Sequence, residues 1–309
     1  QTEMLKIHGM FSIQPGAGSN PTPLSAIAHQ ACANMLISLM KSNNILALAP
    51  VATGILFFSC ILPGVTSQAS DLEREQRLAD EIVEAILDGK PVTLQTDDHD
   101  FLGIYTPAEA DPERGAAIIL HGRGMHPDWG QVANPLRVGL PVRGWSTLSI
   151  QMPVLDKEAK FYDYETVFPE AIPRIEAAIR YLRAQGSGRI ALIAHSCSVH
   201  MSMTWVEQRG TAGIDAYVGI GMGATDYKQP MRQPFPYAGI KVPLLNIVGS
   251  EDYPAVQLQA SKLESILEEL PGGSAQRRIE GAGHYFDDQN EELLEAITDW
   301  LEQIAPQTD

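Results

Sequence analysis

The sequence has little cysteine, and its three cysteines show no paired spacing. Cys32, Cys60 and Cys197 are far apart in a chain of 309 residues, and no Cys-x-x-Cys motif is present. Disulfide-rich folds need a much higher density of cysteine, and structural zinc sites usually use closely spaced ligand pairs. We therefore expect neither a disulfide scaffold nor a structural zinc site, and we expect an ordinary hydrophobic core.

Basic residues are also scarce. The chain contains 22 Lys and Arg against 38 Asp and Glu, which gives a formal net charge of -16. Proteins that bind nucleic acids use Lys and Arg to neutralise phosphates, so this balance argues against a nucleic-acid partner.

Charged residues are almost absent from the first 69 positions, which contain only Glu3, Lys6 and Lys41. The 21 residues from 45 to 65 carry no charge, and Ser67-Gln68-Ala69 places small residues at the two positions that a signal peptidase reads. We interpret residues 1–69 as an upstream segment plus a signal peptide with its apolar region at 45–65. Cleavage after Ala69 would release an exported protein, periplasmic or secreted, that contacts the membrane only through the uncleaved signal.

Other readings of this segment stay open. An apolar stretch of this length could remain as an N-terminal membrane anchor, although Pro50 and Pro63 favour cleavage. Lipid attachment at Cys60 is disfavoured by the aromatic residues just before it. Translation could also begin at Met35 or Met40, in which case the residues upstream are not part of the protein.

The remaining residues, 70–309, predict a single α/β domain. A charged amphipathic stretch predicts a helix over 71–87, and two short segments predict a hairpin over 92–105. Apolar runs that are typical of strands buried on both faces then alternate with helical patterns. The expected strands are 116–120, 146–150, 190–194, 216–220 and 244–248, and the expected helices are 170–185, 199–208, 256–270 and 291–304. This alternation predicts a mostly parallel central sheet with helices on both faces and ligands at the carboxyl ends of the strands.

Ser196 lies where a predicted strand runs directly into a helix. Small residues, Ala194 and Ser198, stand two positions to either side. The arrangement resembles the nucleophile elbow of the α/β-hydrolase superfamily, in which these flanking positions are usually glycine. A serine that only caps the helix is the simpler alternative.

A second segment, His121-Gly122-Arg123-Gly124, follows the strand 116–120. It stands where the hydrolase family supplies an oxyanion-hole amide. The resemblance implies that the backbone N–H groups of Arg123 and Cys197 form the oxyanion hole. We assign His121, Gly122 and Trp129 to substrate binding.

Two loops complete the resemblance. Asp252, after the strand 244–248, resembles the family's acid, with Glu251 and Asp226 as alternatives. His284, in Gly281-Ala282-Gly283-His284, resembles the family's histidine loop. The order Ser196, Asp252, His284 is also the family's chain order.

The resemblance implies a serine hydrolase that cleaves an ester or related acyl bond through an acyl-serine intermediate. Its partner would be a small acyl or ester substrate, and no metal or organic cofactor is expected. The histidine pairs His121/His126 and His195/His200 are five residues apart, whereas zinc hydrolases place two histidines four apart with a glutamate between them.

The segment from 121 to 153 more specifically resembles an uncharacterised bacterial family of exported α/β-hydrolase-like proteins. Members of that family do not always keep the elbow serine, so a catalytically inactive binding protein of the cell envelope is the alternative function. The presence of Ser196 favours activity.

Three further segments are expected near the cleft. The aromatic stretch 161–164 and the segment 225–239, rich in proline and aromatic residues, lie where a cap would sit. Surface loops packed on the body of the protein use the same residue types and are the alternative. The glycines of 219–223 lack the features of a phosphate-binding loop, and we expect them to let the chain pass near the cleft.

Overall fold

Eight strands form one central sheet. They are β1 (Lys90–Gln95), β2 (Asp100–Thr106), β3 (Gly115–Leu120), β4 (Trp145–Ile150), β5 (Ile190–His195), β6 (Ala216–Ile220), β7 (Leu244–Gly249) and β8 (Ala275–Ile279). The spatial order is β1-β2-β4-β3-β5-β6-β7-β8. The two pairings of β2, with β1 and β4, are antiparallel, and all other neighbours are parallel. This computed structural model describes residues 69–110 and 113–305, which fall within one compact unit.

Helices cover both faces of the sheet. They are α1 (Leu72–Ala85), α2 (Ala133–Val142), α3 (Phe161–Tyr164), α4 (Ala171–Ala184), α5 (Cys197–Arg209), α6 (Pro254–Glu264) and α7 (Asn290–Gln303). Short 3-10 helices occupy Glu165–Glu170, Tyr237–Gly239 and Leu267–Glu269. Helices α4 and α5 pack in one hydrophobic cluster with one face of the sheet, and α2 and α7 pack in a second cluster with the other.

Strand β3 shows why the central strands read as unbroken apolar runs. Ile118 and Leu120 belong to the cluster with α4 and α5, whereas Ala117 and Ile119 belong to the cluster with α2 and α7. Successive side chains of a strand point to opposite faces, so a sheet covered on both sides must be apolar at every position. Each isoleucine or leucine buried in this way contributes about 1.5–3 kcal/mol to folding.

The predicted fold class is confirmed. The five central strands begin and end within one residue of the predicted bounds, and the hairpin and the helices at α1, α4, α5 and α7 are present. The helix predicted over 256–270 is wrong in its end, because α6 stops at Glu264 and a 3-10 turn follows. Three elements, α2, α3 and β8, were not predicted.

The predicted signal segment lies outside the described residues up to position 68. Cleavage after Ala69 therefore stays a prediction. Among the helices of the described residues, none combines the length and the apolar character needed to cross a membrane.

Candidate active site

Ser196 occupies a sharp turn between β5 and α5. Its backbone has φ 58° and ψ -120°, a conformation that is rare for a residue with a side chain. Hydrogen bonds connect this turn to the strands on both sides of β5. On one side the Ser196 N–H donates to the Ile220 carbonyl of β6 at 2.9 Å. The buried Ser198 hydroxyl accepts from the His195 N–H at 3.0 Å and donates to the Leu120 carbonyl at 2.8 Å. Serine in place of glycine at 198 thus ties the elbow to β3.

Three side chains form a continuous hydrogen-bonded series, which we name the Ser-His-Asp array. The Ser196 hydroxyl donates to Nε2 of His284 at 2.8 Å, and Nδ1 of His284 donates to Oδ1 of Asp252 at 2.8 Å. The Tyr253 N–H also donates to Oδ1 of Asp252, at 2.6 Å. His284 and Asp252 are 5% and 6% exposed, so the array is largely shielded from water.

Close backbone packing brings the acid and histidine loops together. The Glu251 N–H donates to the Ala282 carbonyl at 2.9 Å, and a Cβ at Gly249 would lie 2.2 Å from that same oxygen. Gly221 has φ 63°, and a Cβ there would lie 2.8 Å from the His284 ring. The glycine segment 219–223 therefore passes beside the site, as expected. A larger residue at 221 would displace the His284 ring, and one at 249 would displace the backbone of the histidine loop.

His195 anchors the histidine loop. Its Nε2 donates to the His284 carbonyl at 3.0 Å, and the two rings are 5.0 Å apart. Burial, with a smaller contribution from His284, lowers the pKa of His195 to about 3. The ring is therefore neutral near pH 7 and acts as a fixed hydrogen-bond donor.

Of the three candidate acids, only Asp252 contacts His284. Glu251 is exposed. Asp226 makes two hydrogen bonds with the Arg123 guanidinium, at 2.6 and 2.8 Å, and accepts from the Phe161 N–H at 2.7 Å. The hydrogen bonds from Arg123 hold the pKa of Asp226 below its usual value. Asp226 therefore joins three loops at the rim of the site.

The two residues of the predicted oxyanion hole lie at the cavity. Arg123 and Cys197 line the cavity beside Ser196, and their N–H groups donate no hydrogen bond to any group in the described part of the chain. They are thus available to a ligand oxygen. Burial raises the pKa of the Cys197 thiol to about 12, so this thiol is not a nucleophile near neutral pH.

A cavity of about 580 Å³ opens over Ser196 and His284. Its volume is in the usual range for small-molecule sites. The two expected cap segments contribute Phe161 and the stretch 225–230. Tyr253 and Tyr285 also line it, and the Tyr253 ring stacks on His284 with centroids 4.4 Å apart. Neither tyrosine was predicted to lie at the site, although each directly follows a residue of the array.

His121, Gly122 and Trp129, which we assigned to substrate binding, do not line this cavity. His121 is buried, and its Nδ1 donates to the Gly122 carbonyl while its Nε2 accepts from the Met152 N–H. Burial lowers its pKa to about 3. Trp129 donates to the side chain of Gln131 and packs on the cluster with α2 and α7. These residues shape the loop after β3 and do not reach a ligand there.

One protein family matches part of the sequence. Residues 63–171 match a family described as a protein of unknown function (DUF3530), a match that ends before Ser196. No curated protein matches the chain.

Solved structures match most of the described fold. A serine hydrolase without a lid from Xanthomonas campestris is 18% identical, with a TM-score of 0.52 over 72% of this chain and 98% of that one. An esterase from Pyrococcus furiosus is 17% identical, with a TM-score of 0.54 over 70% and 92%. A dienelactone hydrolase from Anabaena variabilis is 18% identical, with a TM-score of 0.53 over 70% and 97%. The chain therefore has the α/β-hydrolase fold.

Proposed function

We propose that this protein is an exported serine hydrolase that cleaves an ester or related acyl bond through an acyl-serine intermediate. The observation that carries the proposal is the Ser-His-Asp array, with the hydroxyl of a strained elbow serine 2.8 Å from a buried imidazole. A serine that merely capped α5 would not need this contact, and Ser196 makes no side-chain capping bond.

The array supplies the proton transfers of acyl transfer. Ser196 Oγ attacks the acyl carbon while its proton passes to Nε2 of His284. Asp252 keeps the other ring nitrogen protonated and stabilises the imidazolium. His284 then gives the proton to the departing alcohol, which leaves an acyl-Ser196. Water repeats the cycle, with His284 as base, and releases the acid and free Ser196.

The oxyanion of each tetrahedral intermediate needs donors fixed in advance. Arg123 and Cys197 line the cavity, and their N–H groups, which donate no hydrogen bond within the described residues, would supply these donors. Loss of one such donor typically costs about 3–4 kcal/mol of transition-state stabilisation. The cavity also presents aromatic and apolar side chains, which suits an acyl or aryl substrate. These groups are Met125, Phe161, Tyr227, Pro230, Tyr253 and Tyr285.

Three structural neighbours, a serine hydrolase, an esterase and a dienelactone hydrolase, support ester chemistry. Export is supported by the uncharged segment 45–65 and the small residues at 67 and 69.

A fluorophosphonate probe tests the hydrolase proposal, because it labels only serines activated as nucleophiles. The native protein and a Ser261→Ala control, altered at an exposed serine of α6, should label equally. Ser196→Ala and His284→Ala should not label. Hydrolysis of p-nitrophenyl acetate should be lost in the same two variants.

Labelling that persists in Ser196→Ala, or that is absent from a folded native protein, would contradict the proposal. The second result would favour a hydrolase-fold binding protein of the envelope.

A further inference from the structure

The backbone N–H of Ser70 faces a carboxylate. It lies 3.2 Å from Oε1 and 3.3 Å from Oε2 of Glu170, which is 100 positions away in sequence. Ser70 is only 8% exposed, whereas Ala69 before it is exposed. Peptide N–H groups offer one hydrogen, so a single donor between both oxygens leaves most of the carboxylate's accepting capacity unused.

Glu170 has no other role in the structure that accounts for its position. It directly precedes α4, yet its side chain makes no capping bond to that helix. Within residues 69–110 and 113–305, no Lys or Arg forms an ion pair with it. A half-buried carboxylate of this kind would bind a cation more strongly than it binds one neutral N–H.

The segment around Ser70 is firmly placed. The Asp71 N–H donates to the Val154 carbonyl at 2.7 Å, and Nη2 of Arg174 lies 3.4 Å from the Ser70 hydroxyl. The charge of Arg174 is matched by Glu75, whose carboxylate accepts from it at 2.7 and 3.2 Å. Arg174 therefore does not neutralise Glu170.

We propose that Glu170 is the binding site for a new N-terminus, the α-ammonium of Ser70, created when the chain is cut after Ala69. The inference rests on the export part of the proposed function. Hydrolysis of the Ala69–Ser70 peptide bond gives the hydroxyl of water to the Ala69 carbonyl and a hydrogen to the Ser70 nitrogen. The resulting amine takes up a second proton near neutral pH.

The cut changes the chemistry of this contact without moving its atoms. One neutral N–H becomes a cation with three donors, so each oxygen of Glu170 can accept its own hydrogen. Hydrogen bonds between ionised partners are roughly twice as strong as neutral ones. The processed chain is thus bound more tightly at its first residue than the precursor is at the same residue.

This contact also connects to the proposed active site. Four residues after Ser70, Nη2 of Arg74 donates to the Gly124 carbonyl at 3.1 Å, and the neighbouring residue Arg123 lines the cavity. Arg74 also donates to the Leu155 carbonyl. A bound N-terminus therefore fixes the start of α1 and, through Arg74, the loop after β3.

The test begins with the protein recovered after export from a bacterial host. N-terminal sequencing should give Ser70 as the first residue. Unfolding by urea is then measured for this protein and for Glu170→Gln. Glu158→Gln is the control, since it removes one exposed acid that makes no side-chain contact with Ser70. Glu170→Gln should raise the unfolding constant about tenfold, and Glu158→Gln less than twofold.

The decisive arm removes the charge from the N-terminus. Periodate converts an N-terminal serine into an aldehyde, with loss of ammonia and formaldehyde, and leaves internal serines intact. In protein oxidised under denaturing conditions and refolded, Glu170→Gln should change the unfolding constant less than twofold.

An equal effect of Glu170→Gln before and after oxidation would overturn the ammonium contact. A first residue other than Ser70 would overturn the cleavage on which it depends. Neither measurement involves Ser196, so failure of the hydrolase proposal would be seen separately, as missing fluorophosphonate labelling.

Discussion

Ser196 combines a side chain with a backbone conformation that disfavours one. At positive φ its Cβ crowds the backbone, a strain of about 1–3 kcal/mol that the surrounding hydrogen bonds must offset. Strain of this kind is often found at functional sites, where it holds a side chain in a required position. The elbow thus lowers stability and in return directs a half-buried hydroxyl toward the cavity.

Removal of the Cβ at position 196 should therefore stabilise the fold. We expect Ser196→Gly to be about 1 kcal/mol more stable than Ser196→Ala in urea unfolding, because only glycine relieves the positive φ. At Ser261, inside α6, the order should reverse, since glycine is about 1 kcal/mol worse than alanine in a helix interior. The same order at both positions would show that the elbow is not strained.

The acid of the array can be identified by exchanging single carboxylates. Asp252→Asn should lower kcat by about 10³–10⁴-fold, because an amide cannot stabilise the imidazolium and favours the wrong tautomer. Asp226→Asn should lower kcat by only about tenfold, since Asp226 holds the rim loops through Arg123 and does not touch His284. Esterase assays of both variants at saturating substrate measure this. The reverse ranking would assign the acid to Asp226.

At the residue scale, sequence patterns predicted the three members of the array and the segments near it, but they did not predict several side-chain contacts around the array. Ser196, Asp252 and His284 each follow a strand end or a glycine turn, which marks them in the sequence. Tyr253 stacks on His284, 31 positions further along the chain. Arg123 pairs with Asp226, which is 103 positions away. No local pattern encodes such contacts, because they depend on the packing of separate loops.

At the scale of elements, hydrophobic patterns predicted the helices and strands whose buried positions recur regularly. They missed elements without such a regular pattern. Helix α2 contains Pro135, Gly139 and Pro141, which read as a loop, yet Leu136 and Leu140 pack it against the sheet. Strand β8 has the sequence Ala-Gln-Arg-Arg-Ile and lies at the sheet edge, where exposed charges replace an apolar run. Tertiary contacts override local preference in both elements.

Helix α1 contributes one partner of a buried ion pair with α4. Glu75 and Arg174 are 5% and 0% exposed, and the Glu75 carboxylate also accepts from the Val154 N–H. Glu75→Gln should destabilise the protein by about 3–5 kcal/mol, because it leaves the Arg174 charge buried without its partner.

Glu73→Gln, exposed on the same helix, is the matched control and should change stability by less than about 0.5 kcal/mol. Urea unfolding compares the two variants. The ion pair would be unimportant if both had the same small effect.

At the scale of the whole molecule, buried histidines should make folding sensitive to acid. Burial is the main cause that lowers the pKa of His121 and His195 to about 3 and of His200 to about 4. In the unfolded chain these groups titrate near 6.5. Their contribution is therefore fully present above about pH 6.5 and is lost as the pH falls from there toward the folded values.

Replacement of one such histidine should reduce the slope of stability against pH. His200 donates to the Ala224 carbonyl and packs among phenylalanines, and it makes no hydrogen bond to the array within the described residues. His200→Gln should lower the slope below pH 6 by up to about 1.4 kcal/mol per pH unit. Urea unfolding at several pH values measures this. Between pH 7.5 and 8.5 the native protein and His200→Gln should show equal slopes. Equal slopes below pH 6 would contradict the conclusion that His200 is buried in its neutral form.

The cavity over Ser196 also sets a scale for what the molecule can enclose. Its volume of about 580 Å³ corresponds to roughly twenty water-sized groups, taking about 30 Å³ for each. Each methylene added to the acyl tail of a substrate strengthens binding by about 0.8 kcal/mol, but only if the cavity buries it away from water. Once the tail fills the space, each further carbon stays hydrated, so selectivity among homologous esters should level off at medium length.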